Sequence, residues 1–120
     1  MAKDLVKMSL LYDLYGGMLT EKQRELFTLY YEEDLSLAEI AQNEGITRQG
    51  VRDTIVRAEE ALTEFEDRLC LSQRLEEYRR HAQRIAVAAV EIGEINRRSY
   101  FDARVEDRVR EILEATRDME

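Results

Sequence analysis

The sequence predicts an all-α protein, a helix-turn-helix bundle followed by a C-terminal helical hairpin. Three observations predict it. The 120 residues include no proline, while 44% are hydrophobic and 37% charged, a mixture suited to amphipathic helices around one modest core. In segment after segment, apolar residues recur three and four apart, the period of a helix with one buried face. Between Ser36 and Leu62, two cap signals and a glycine fall at the spacing of two helices joined by a tight turn.

The elements follow in order. Asp4 caps a first helix that turns Leu5, Met8, Leu11, Tyr12 and Tyr15 toward a core, and Gly16-Gly17 stops it as a C-cap. No phosphate-loop motif surrounds that glycine pair. Thr20 caps a second helix, with Gln23 at the capping-box position, running to about Glu33 and offering Leu26, Phe27, Leu29 and Tyr30 for packing. Tyr12, Tyr15, Tyr30 and Tyr31 sit at helical spacing beside leucines. A core role with hydroxyl tips in water fits them better than a stacking platform for bases. Glu32-Glu33-Asp34 lack the alternating spacing and glycine of a calcium loop and read as a solvated helix end.

Ser36 caps the third helix and Glu39 completes a capping box, with Leu37, Ile40 and Ala41 on one face. Gly45 ends it, because glycine takes the left-handed conformation without a Cβ clash. Ile46 is expected to plug the turn. Thr47 caps a long fourth helix whose buried stripe is Val51, Ile55, Ala58 and Leu62. That register leaves Arg48, Gln49, Arg52, Asp53, Val56 and Arg57 outward. Together with Thr47 they are the candidate nucleic-acid-binding residues. The second helix of such a motif offers its first turns to a groove, where arginine reads guanine and glutamine reads adenine. Gly50 lies inside this helix, at a cost of about 1 kcal/mol against alanine. It serves either close approach to a partner or a tight crossing against the preceding helix. From Glu59 onward the helix turns acidic, with Glu60, Glu64, Glu66 and Asp67.

After Leu69-Cys70-Leu71 the character changes, which divides the chain into a helix-turn-helix domain, 1–70, and a helical extension, 71–120, read as a dimerisation region. Ser72 can cap a further helix. Leu71, Leu75, Tyr78, Ala82, Ile85, Ala89 and Ile92 form a heptad seam. Its partner is either the last helix, Ala103 to Met119 with Val105, Val109, Ile112 and Leu113, or the same helix of a second subunit. The pattern breaks around Asn96 to Asp102, as a turn would. Arg74, Arg79, Arg80, His81 and Arg84 make a basic cluster, but acids alternate with it, so solvated salt-bridging faces are expected.

Composition limits the function. The net charge of −8 repels nucleic acid overall, so DNA binding must come from a local basic patch. Cys70 is the one cysteine, which excludes an internal disulfide and fits a reducing compartment. It sits between leucines and is expected to be a buried hydrophobe. His81 is the one histidine and has no second histidine for a metal site or triad. No enzyme and no cofactor are expected. No apolar run reaches the length of a secretory core or membrane span, so a cytoplasmic protein without membrane insertion is expected.

The stretch from Leu10 to Glu59 resembles the YlxM family, small bacterial helix-turn-helix proteins similar to the promoter-reading region 4 of sigma factors. The resemblance rests on Leu11-Tyr12-Asp13 followed by Tyr15-Gly16, on Leu19-Thr20 with Lys22-Gln23, and on Leu29-Tyr30-Tyr31. It continues through Asp34 to Ile40 and Arg48-Gln49-Gly50-Val51 with Asp53, Ile55 and Arg57. Arg52 departs from the aromatic residue many members carry there. The family's genes lie beside those of the signal recognition particle. The resemblance therefore implies a protein that acts in, or regulates, that targeting pathway. Three functions stand: a DNA-binding regulator, a module docking on a signal recognition particle protein or RNA without DNA, and a structural homodimer that has lost its ligand.

Overall fold

The computed structural model describes residues 3–119. They form α1 (Leu5–Tyr15), α2 (Glu21–Tyr31), α3 (Leu37–Glu44), α4 (Arg48–Leu69), α5 (Leu71–Arg98) and α6 (Ala103–Asp118), with a single 3-10 turn (Gly16–Met18) after α1. Among the described residues there is no strand, so the chain is all-α. It divides into two compact units, Met1–Ser72 and Gln73–Glu120.

The first unit is built around α4, against which α1, α2 and α3 pack. Val51, Ile55, Ala58 and Leu62 recur four and three apart, and each is fully buried. Burying a side chain of that size contributes roughly 1.5–3 kcal/mol, so this stripe fixes which side of α4 faces inward. Leu26, Phe27 and Ile40 complete the centre. An aromatic stack runs beside it: Tyr12 on Phe27 at 4.8 Å and Phe27 on Tyr31 at 4.4 Å.

The helix ends follow the cap residues. Thr20 Oγ1 accepts from the Gln23 amide, and Gln23 Oε1 accepts from the Thr20 amide. Ser36 and Glu39 form the same reciprocal pair. Gly45 takes φ +68°, a left-handed conformation that turns the chain between α3 and α4.

Several sequence expectations need correction in this unit. Leu5 is half exposed rather than in the core, because Met8, Leu11 and Tyr15 already fill the buried face of α1. Gly16 is not a left-handed cap; its φ is −55°, and it is glycine because a Cβ would lie 3.0 Å from the Tyr12 ring. Ile46 does not plug the turn and stays 40% exposed. Cys70 is only partly buried. It ends α4 with a positive φ of 56°, so the chain is already helical at Leu71 and Ser72 is not the cap of α5.

The second unit is a helical hairpin. Asn96 Nδ2 donates to the Asp102 carbonyl at 3.0 Å, and the Asp102 amide donates back to Asn96 Oδ1 at 3.0 Å, which closes the connection. Small residues line the inner side of α5: a Cβ on Gly93 would be in ordinary contact with Val109 Cγ1, at 3.5 Å. The expected heptad seam splits in two. Ala82 and Ala89 turn inward with Gly93 and Asn96, while Tyr78, Ile85 and Ile92 remain 55%, 48% and 47% exposed. Val109 is buried on α6, but Ile112 is not. Short side chains face the hairpin, and long ones flank it.

Candidate nucleic-acid interface

Once Val51 and Ile55 are pinned against the core, helical geometry turns the residues between them outward. Arg48, Gln49, Arg52, Asp53 and Arg57 are all exposed at the start of α4, and Val56 is half-buried rather than free. Gln49 Nε2 donates to Asp53 Oδ1 at 2.9 Å, one helical turn away. Arg52 Nη1 lies 4.0 Å from the same oxygen. Asp53 therefore holds the Gln49 amide, with the Arg52 guanidinium exposed beside it; these are the two groups that pair with base edges bidentately. Thr47 is already engaged: its Oγ1 accepts from the Gly50 amide at 2.9 Å. That bond does not itself call for glycine at position 50, since Gln23 and Glu39 make the same bond to their caps. A Cβ there would press on Thr47 Oγ1 at 3.1 Å and on no residue of α3, so a tight crossing against the preceding helix is not the reason for the glycine.

Arg48 shares a shallow groove with Ser36, Leu37 and Glu39 at the N-terminal end of α3. Lys3 and Arg48 stand there against Asp34 and Glu39, so the groove carries both signs of charge. The groove on α2 is acidic, with Glu21, Glu25, Glu33 and Glu44 around one cation, Arg24. Lys22 Nζ, 3.0 Å from Glu44 Oε2, holds the Glu44 carboxyl below its ordinary range. Glu25 is pushed up by its hydrogen bond and repulsion with Glu44. That face repels phosphate.

Sequence reasoning missed the polar bonds that hold α4 in place. Tyr31 Oη donates to Glu59. Tyr15 Oη donates to Glu66 Oε1 at 2.8 Å and accepts from the Leu71 amide at 3.0 Å. Glu66 also receives the Ser72 amide and hydroxyl. The Tyr15 and Tyr31 tips are therefore bonded rather than left in water, and Glu59 and Glu66 are not simply solvated acids. Burial, then the neighbouring carboxylate, raises the pKa of both Tyr31 and Tyr15. Burial pushes Glu66 up, but the bonds from Ser72 and Tyr15 outweigh it and hold the carboxyl below its ordinary 4.5. The partners lie 28 and 51 residues apart, so no local pattern announces them. The one cue is that a tyrosine on a core face needs a hydroxyl partner.

A capped helix, a left-handed glycine turn and a second helix with an outward arginine–glutamine face define a helix-turn-helix protein. A family model described as "Putative helix-turn-helix protein, YlxM / p13 like" matches residues 2–99, reaching through α5 and well beyond the stretch in which the resemblance is legible by eye. The chain belongs to this family, UPF0122. It is 43% identical over 114 residues to a UPF0122 protein of Thermoanaerobacter sp. (strain X514), covering 95% of this chain and 97% of the relative. A UPF0122 protein of Symbiobacterium thermophilum is 54% identical over 67 residues, covering 56% and 63%. One from Bacillus mycoides is 45% identical over 80 residues, covering 67% and 73%. The family description names a helix-turn-helix and no reaction. Among the described residues, no helix is long and apolar enough to cross a membrane.

Proposed function

We propose that this protein is a cytoplasmic, non-enzymatic DNA-binding regulator acting in or on the signal recognition particle pathway, and that it works as a homodimer. The observation that carries the DNA reading is the Arg52–Asp53–Gln49 arrangement on the exposed side of α4. Arg52 and Gln49 supply base contacts, and Arg48 and Arg57 supply phosphate contacts. Phosphate contacts fix position and make affinity fall with salt, while base contacts set specificity. The acid that follows from Glu59 keeps the binding surface to the first turns of α4. The link to the targeting pathway rests on the family resemblance alone.

The net charge of −8 favours a second reading, in which the same face docks on a protein or RNA of the particle and DNA is irrelevant. Enrichment from a random duplex pool tests the first. The DNA reading expects a recurring sequence whose binding weakens steeply as salt rises. Failure to enrich any duplex at low salt, with binding to a particle component, establishes the second.

A further inference from the structure

The structure assigns α5 as a surface that pairs antiparallel with α5 of a second copy of this chain, joining two α5–α6 hairpins into a four-helix bundle. This deepens the homodimer reading above and rests on it. The surface is a seam that the hairpin leaves open. Tyr78, His81, Ile85, Ala88, Ile92 and Ile95 follow one another at three- and four-residue intervals, an unbroken heptad pattern, and all six are exposed. Ile95 is 66% exposed. The inward residues Ala82, Ala89 and Asn96 each lie one position further along, so the hairpin occupies the adjacent stripe and not this one.

A heptad seam is complementary to another heptad seam, since each knob needs a hole made by four residues of a like helix. The direction follows from size and charge. Antiparallel pairing centred between Ala86 and Val87 sets Ile85 opposite Ala88 of the second copy, Tyr78 opposite Ile95, and His81 opposite Ile92. A large side chain then meets a small one nearest the two-fold axis. Beside the seam, at seven-residue intervals, stand Glu77, Arg84, Glu91 and Arg98, just before Tyr78, Ile85, Ile92 and Ser99, and all four are exposed. Flanking residues of an antiparallel seam pair diagonally, two positions off the directly opposed residue, so Glu77 reaches Arg98 and Arg84 reaches Glu91, twice each. A parallel pair would instead set Ala88 on Ala88 and leave those charges facing Ala82, Ala89 and Asn96. The apolar surface also continues onto α6, because Ile92 shares a groove with Val105 and Ile112.

Sedimentation velocity of the full chain tests this with three substitutions. The parent should be a dimer, and Ile85→Glu a monomer of unchanged helicity by circular dichroism. Arg84→Glu should weaken the dimer by about tenfold, as expected for two exposed ion pairs turned repulsive. Arg84→Glu with Glu91→Arg should restore it, since these two residues meet only between copies. A monomeric parent would overturn the homodimer and this surface together. A dimer that survives Ile85→Glu would overturn the surface alone. A charge exchange that fails to restore pairing would overturn the antiparallel direction.

Discussion

Val51 and Glu66 hold α4 by different physics. Val51 is fully buried against the preceding helices. Val51→Asp would bury an unpaired charge, which costs several kcal/mol and exceeds the margin of a small domain; thermal denaturation should show no cooperative transition. A variant melting like the parent would mean that the register of α4 is wrong. Glu66 acts through pH. Its carboxyl titrates below the ordinary 4.5 in the folded protein, so the stability it adds is present above that value and is lost as pH falls through the folded pKa. Melting temperature should therefore drop on acidification below about pH 4.5, and Glu66→Gln should flatten that drop while lowering stability at pH 7. The valine was legible from its spacing. The glutamate was not, because its partner Tyr15 is 51 residues away and only the folded chain brings them together.

At the level of elements, what reads from sequence is what is local. Both capping boxes, the left-handed Gly45 and the buried stripe of α4 each depend on residues within a few positions, and all lie where the pattern puts them. Thr47→Ala should cost about 1 kcal/mol in urea denaturation, since the first turn of α4 loses its hydroxyl acceptor. An unchanged midpoint would mean that another group caps the helix. The α5 seam was misread for a related reason. A repeat of seven marks apolar stripes but not which neighbour each one faces, and Ala82 beside Tyr78 and Ile85 offers two stripes one residue apart. Only the folded chain, with Gly93 next to Val109 and Ala82 and Ala89 buried, shows that the small residues face inward. Ile46 failed in the same way, because an apolar residue in a turn is buried only if a neighbour covers it.

For the whole molecule, charge decides how it meets a ligand. An acidic chain that binds through the first turns of α4 must hold nucleic acid through few contacts, so affinity should be modest and strongly salt-dependent. If the α5 pairing holds, each dimer carries two copies of α4, and the duplexes enriched from a random pool should contain two half-sites. Enriched sites with a single half-site would separate the DNA reading from the dimer. The most direct measurement is an anisotropy titration of an enriched duplex, and of the particle's RNA and proteins, with the parent and Arg52→Ala at roughly 50 and 200 mM salt. The parent should bind DNA and lose affinity steeply at the higher salt. Arg52→Ala should cost roughly 1–3 kcal/mol and relax preference at one base position. No DNA binding even at low salt, with a particle component bound and weakened by the same substitution, would contradict the assignment of α4 as a base-reading helix.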